Sequence, residues 1–190
     1  FGDKKLKGKA DALWLINKNP RNTIFASFTK DFDRSQSYYD EISQDNIFAL
    51  AIRKSSIPIK FLLVEEQKLE FFHEWHNGFS VTLTGLRKQF DPVRNLPSAD
   101  IFKGTSGEPL NTMETSVRFR FAYLEKFLES TFYRSSVGSP YPITELKFTK
   151  GFSGILNSSY DYTKVTGGIC DYIKIPPYGS IYYNVFGGKT

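Results

Sequence analysis

The stretch from Thr115 to Gly151 (TSVRFRFAYLEKFLESTFYRSSVGSPYPITELKFTKG), which begins with strict two-residue alternation, constrains this chain more than any other feature. Val117, Phe119, Phe121 and Tyr123 fall on one parity, and Ser116, Arg118, Arg120 and Ala122 on the other. A strand sends successive side chains to opposite faces, so the pattern predicts one aromatic-aliphatic face and one face carrying two guanidinium groups. The far half repeats the device, with Leu146 and Phe148 against Glu145, Lys147 and Thr149. Two kinds of fold accept such a strand. In a water-soluble sandwich the charged face meets solvent. In a membrane barrel it lines the lumen, and the aromatic face meets lipid.

Similar runs recur along the chain, separated by turn residues. The first covers about 7–16 and ends at Asn17-Lys-Asn-Pro20; the second covers about 23–32 and sets Ile24, Ala26 and Phe28 against Thr23, Phe25, Ser27 and Thr29. The polar segment 33–45 reads as a surface loop, and 47–54 as a strand. Residues 59–75 read as two strands split at Glu65-Glu-Gln-Lys68. That split places the long polar loops 33–45 and 91–112 at one end of the sheet, as outer-membrane barrels place theirs. Leu69, Phe71, His73 and Trp75 then share a face, and His76-Asn-Gly78 makes a tight hairpin turn. Phe79, Val81, Leu83 and Gly85 alternate with Ser80, Thr82, Thr84 and Leu86. Prolines and glycines break up 91–111, and 125–142 is irregular, with room for a helical turn or a folded-in loop. Strands at 142–151, 158–175 and after the Pro176-Pro-Tyr-Gly179 turn complete a tally of about ten. The expected class is all-β.

Composition narrows the options further. No apolar run exceeds the six residues Ile47–Ile52, which excludes helical membrane spans of 18 or more. A mean hydropathy of −0.35 does not exclude a barrel, whose lumen residues dilute the average. The 190 residues suffice for a single domain. The net charge of +5 is spread along the chain, and Lys5, Lys7 and Lys9 have the spacing of one strand face, so no nucleic-acid partner is expected. A lone cysteine, Cys170, permits no internal disulfide and reads as a small hydrophobe. The chain opens on Phe1 without a signal segment, which suggests a mature form or an excerpt.

Candidates for chemistry are weak. His73-Glu-Trp-His76 spaces its imidazoles three apart, not the four that a zinc-binding helix needs. Gly104-Thr-Ser-Gly107 and Gly151-Phe-Ser-Gly154 lack the spacing of a nucleophile elbow. Glu145, Asp161 and Asp171 read as cross-strand charge partners rather than acid–base pairs. No catalytic residue, metal or cofactor is expected, and the protein is read as not an enzyme. The aromatics carry more information. Trp14, Trp75, Tyr123, Tyr182 and Tyr183, with Phe71, Phe79, Tyr160, Tyr162 and Phe186, lie toward strand ends, where barrels gather interface girdles.

The run Arg118–Gly151 with Tyr160-Asp-Tyr162 resembles the C-terminal region of a large outer-membrane family of Bacteroidota. Members carry an N-terminal carboxypeptidase-regulatory-like domain before a domain of unknown function. Phe72-His-Glu-Trp-His-Asn-Gly-Phe79, Arg87-Lys-Gln-Phe-Asp-Pro92 and Phe1-Gly-Asp-Lys look like further landmarks of it. The resemblance implies that residues 1–190 are part of one transmembrane barrel domain in the bacterial outer membrane, with strands missing at both ends. Its expected partners are outer-membrane lipid and other envelope proteins, as a structural or accessory subunit of an assembly, transport or secretion complex. Arg118, Arg120, Glu145 and Lys147 would then form a lumen-facing charge ladder. The alternative reading is a soluble β-sandwich module that binds through its long loops.

Overall fold

The computed structural model describes residues 6–33, 61–94, 110–158 and 160–190. The described chain is almost entirely antiparallel strand. Its elements are β1 (Gly8–Lys18), β2 (Arg21–Asp33), β3 (Phe61–Glu74), β4 (Phe79–Arg94), β5 (Leu110–Phe121), β6 (Lys126–Glu129), β7 (Arg134–Gly138), β8 (Ile143–Gly151), β9 (Tyr162–Ile175) and β10 (Gly179–Lys189). Eight of them form one sheet in the order β1-β2-β3-β4-β5-β8-β9-β10, and β6 and β7 pair separately. Each strand of the sheet thus lies beside its chain neighbour, except that the β6–β7 hairpin is inserted between β5 and β8. The sheet is not closed, since β1 and β10 each have only one partner.

One expectation changes. Residues 61–74 form a single strand, with Glu65, Glu66, Gln67 and Lys68 all paired within it, where the sequence suggests a break. The expected strand 47–54 lies outside the described residues. The loop placement survives the change. The connections 34–60 and 95–109 both leave the same end of the sheet, here termed the loop end, because β2 pairs directly with β3 and β4 with β5. The opposite end, the turn end, carries the short connections after β1, β3 and β9.

Register assigns every side chain to a face. The row Trp14–Ile24–Phe71–Leu83–Val117–Phe148–Val165 crosses seven strands on one side. The adjacent row, Thr23–Phe72–Thr82–Arg118–Lys147–Thr166, lies on the other. Burial runs opposite to polarity. Leu83 is 44% exposed on the apolar face while its neighbour Thr84 and the nearby Thr82 lie on the polar face, Thr82 only 3% exposed. Arg21, Thr23, Ser80, Ser116 and Thr149 are also buried, and all stand on the polar face. Among the described residues the only buried hydrophobics are Leu63 and Ala122.

The apolar face is a band rather than a full surface, and it slopes. In β2 it is centred on Ala26, between Ile24 and Phe28; in β10 it is centred on Tyr183, between Ile181 and Val185. Following the register from β2 to β10, that centre moves about eight residues toward the turn end over six strand-to-strand steps. With a rise of about 3.4 Å per residue and about 4.8 Å between strands, the band crosses the strands with a tilt of about 40°. Barrel strands are tilted by about 35–45° against the barrel axis.

The turn after β3 is held tightly. The Trp75 N–H donates to Phe79 O (2.9 Å), the Gly78 N–H to Trp75 O (3.2 Å), and the Phe79 N–H to the Asn77 side-chain oxygen (3.1 Å). The Ala122 N–H then donates to Gly78 O (2.9 Å), tying the end of β5 to this turn. Gly78 has φ +81°, and a Cβ there would stand 2.3 Å from Ala122 O. Gly78→Ala is expected to destabilise the fold by about 1–3 kcal/mol, since it adds left-handed strain and a backbone clash. Gly85→Ala, in strand backbone with open space, is expected to be neutral or slightly stabilising. Comparing the denaturation midpoints of the two variants checks both.

Candidate functional site

The polar face and the hairpin over its turn end form the most organised chemical feature of the molecule. On the face, Arg118 stands directly opposite Lys147, and Arg120 directly opposite Glu145. Like charges opposed across a ladder repel, and Arg118 turns away from its neighbour. It reaches diagonally toward Glu145 (3.9 Å) and donates to Thr82 Oγ1 (3.2 Å). The four ladder residues therefore share one face, as their parity predicts. Toward the loop end the same face carries the pairs Lys88–Glu66 (2.8 Å) and Lys68–Glu70 (2.7 Å).

The chain leaves β5 at Ala122, turns through Leu124 at φ +52°, and folds β6 and β7 back across the ends of β2 and β3. Glu125 is the pivot. Both of its carboxylate oxygens accept hydrogen bonds from Arg120, each at 2.7 Å, and the Ser136 hydroxyl of β7 bonds to it as well. Its side chain is 2% exposed. Arg134 of β7 pairs with Glu74 at the end of β3, and its guanidinium stacks 3.5 Å above the Phe127 ring of β6. Arg21 of β2 donates from Nη2 to Phe132 O in the hairpin turn (2.7 Å). The hairpin is thus fastened to β2, β3 and β5 by charge-assisted bonds, which are about twice as strong as neutral ones. A cavity of about 300 Å³ lies beneath it, walled by Lys18, Arg21, Glu74, His76, Glu125 and Arg134 among others.

The other predicted positions separate. Trp75 and Tyr123 lie at the turn end, where Trp75 meets His73 (4.1 Å) and Phe79 (5.4 Å), and Tyr123 meets Phe121 and Tyr141. Trp14 sits within the band, level with Ile24 and Leu83, rather than at a strand end. Tyr182 and Tyr183 are successive residues of β10, so they occupy opposite faces. Tyr183 lies in the band, and Tyr182 stands beside Cys170 on the polar side. Glu145, Asp161 and Asp171 do not converge: Glu145 belongs to the ladder, Asp161 pairs with Lys150, and Asp171 faces the apolar side. His73 is hydrogen-bonded to Asn22 across the β2–β3 pair. Among the described residues no three His, Cys, Asp or Glu side chains gather as a metal site would require.

Arg21, Glu74, Glu125 and Arg134 are the residues that parity reasoning misses, because they meet only when the irregular segment folds back. Burial raises the Glu125 carboxyl pKa. The hydrogen bonds from Arg120 and Ser136, with the charges of Arg120 and Arg134, outweigh burial and hold it below its ordinary value. A carboxyl depressed in the folded state stabilises the fold above its unfolded value, about 4.3, and loses that contribution as pH falls through the folded value. Hairpin protection, read by hydrogen exchange of the 126–138 amides, is therefore expected to be full at pH 6 and to fall in acid below about pH 4. Glu125→Gln is expected to lose about 1–3 kcal/mol of that protection at pH 6 and to flatten its acid dependence.

No curated protein and no solved structure matches this chain. One family model does, over residues 1–189, described as the C-terminal domain of a family of unknown function, DUF5686. The chain that carries this sloping apolar band and fastened hairpin belongs to that family.

Proposed function

We propose that this domain is part of an outer-membrane β-barrel of Bacteroidota, acting without catalysis as a structural or accessory subunit of a larger cell-envelope complex. One observation carries the reading. Large apolar residues of the band such as Leu69, Phe71, Leu83 and Phe148 are exposed, Thr23, Ser80, Thr82, Ser116 and Thr149 on the other face are buried, and the apolar band slopes at about the strand tilt of a barrel. A soluble sheet would cover Phe71, Leu83 and Phe148 with a second layer, and the described residues contain none. Lipid satisfies the same surface without one.

The chemistry of the other face agrees with a packed or water-lined interior. Arg118, Arg120, Glu145, Glu66, Lys88 and the hairpin carboxylates are engaged with one another, an arrangement that fills and shapes space. In this reading the hairpin occupies the turn-end mouth of the interior, and the loop end of the sheet faces neighbouring envelope proteins. Lipid tolerates no unpaired sheet edge, so in the assembled protein β1 and β10 pair with each other or with further strands.

Fractionation of cells expressing the full-length parent, followed by unboiled and boiled electrophoresis, tests the reading. A band in the outer-membrane fraction that shifts on boiling is expected. A soluble band with no heat shift returns the β-sandwich to first place. Leu83→Arg, in mid-band, is expected to cost about 2–4 kcal/mol of folding into bilayers, while Thr84→Arg, one residue on and facing inward, is expected to cost far less.

A further inference from the structure

Among the strand residues whose side chains are described, the apolar face carries four basic ones, and they fall on one line. Lys30 on β2, Arg87 on β4, Lys150 on β8 and Lys189 on β10 each stand just loop-ward of the band. Each lies two strands from the next, about 10 Å across the sheet, and each is two register rows nearer the turn end than the one before. The line therefore climbs with the band and stays on its margin. At the opposite margin the same face offers no lysine or arginine among the described residues; His73, Trp75, Phe79, Phe121 and Tyr123 stand there instead.

We infer that this line is a binding surface for the headgroup phosphates of membrane lipids in the leaflet on the loop side. The inference rests on the membrane reading above and adds to it an orientation and a ligand chemistry. A cation at the margin of a lipid-facing band sits at headgroup depth, with its aliphatic stem along the band and its charge at the interface. A spacing of two strands gives each cation its own headgroup. Two of the four have acidic neighbours, Lys30 with Glu65 (3.0 Å) and Lys150 with Asp161. An ammonium group carries three donors, so one carboxylate leaves two for a phosphate. Arg87 carries a planar guanidinium, which suits bidentate phosphate contact. Chance placement does not account for the line, because the polar face scatters Lys9, Lys68, Lys88, Arg118, Lys147 and Lys164 along its whole height.

Full-length protein, extracted in mild detergent and verified as heat-modifiable, is titrated with mixed micelles of lipid A or of lipid A stripped of its phosphates. The wild type is expected to bind the phosphorylated lipid about tenfold more tightly or better, since each cation near an anionic surface adds a several-fold gain. The variant Lys30→Gln/Arg87→Gln/Lys150→Gln/Lys189→Gln is expected to lose that preference and remain heat-modifiable. The charge-matched variant Lys68→Gln/Lys88→Gln/Lys147→Gln/Lys164→Gln is expected to keep it. Equal preference in the two variants overturns the inference, as does full displacement of the lipid by millimolar inorganic phosphate. A protein that is heat-modifiable but indifferent to lipid phosphate removes only this inference. A protein that is soluble and shows no heat shift removes the membrane reading together with it.

Discussion

Everything in this molecule depends on the register of one backbone ladder. Among the described residues no layer packs on the sheet and the apolar core that ordinarily holds strands together is missing, so cohesion there falls to main-chain hydrogen bonds and cross-strand pairs. A slip of one residue would move every side chain to the other face. The pairing is unbroken through the middle of the sheet, with irregularities only between Leu15 and Asn17 and between Phe61 and Leu62, near strand ends. Where Phe71, Leu83 and Phe148 stand, and where Arg118 and Arg120 stand, follows from that continuity alone.

The polar face shows how a charged surface becomes the more buried one. Thr82, Ser116 and Thr149 are small, and their neighbours Arg118, Arg120 and Lys147 are long. The long stems stand beside the short hydroxyl residues, and the two guanidinium groups find partners at Glu145, Thr82 and Glu125. Burial here comes from interleaving of size rather than from hydrophobicity. The fastened hairpin completes the cover at the turn end.

Alternation made the strand class, the faces of β4, β5 and β8, and the shared face of the charge ladder legible in the sequence. It failed at Glu65–Lys68 for a physical reason. The strand is longer than the band, and just loop-ward of it Glu65–Lys68 is polar on both faces before the apolar Phe61–Val64, so four polar residues in succession imitate a break. The drift of the band is invisible to single-strand reasoning, because it exists only between strands whose register is known. The hairpin was legible only as irregularity. Its strands are four and five residues long, too short for a period to declare itself, and its partners Arg21 and Glu74 lie far away in sequence. Tyr182 and Tyr183 illustrate the limit of composition. Two adjacent tyrosines look like one feature until the pleat puts them on opposite sides.

The hairpin's attachments have a mechanical consequence. A meander bonded only between neighbours bends easily about an axis parallel to its strands, because each junction acts as a hinge. An arm that leaves β5 and grips β2 and β3 spans several hinges at once and works as a cross-brace. At the loop end the segment after β8 reaches only as far as β5, through the Phe152 N–H to Met113 O (3.0 Å) and the Met113 N–H to the Ser158 hydroxyl (3.1 Å). The hairpin therefore restrains the angles between β2, β3 and β5 together, so bending at one junction of the turn end is coupled to bending at the others.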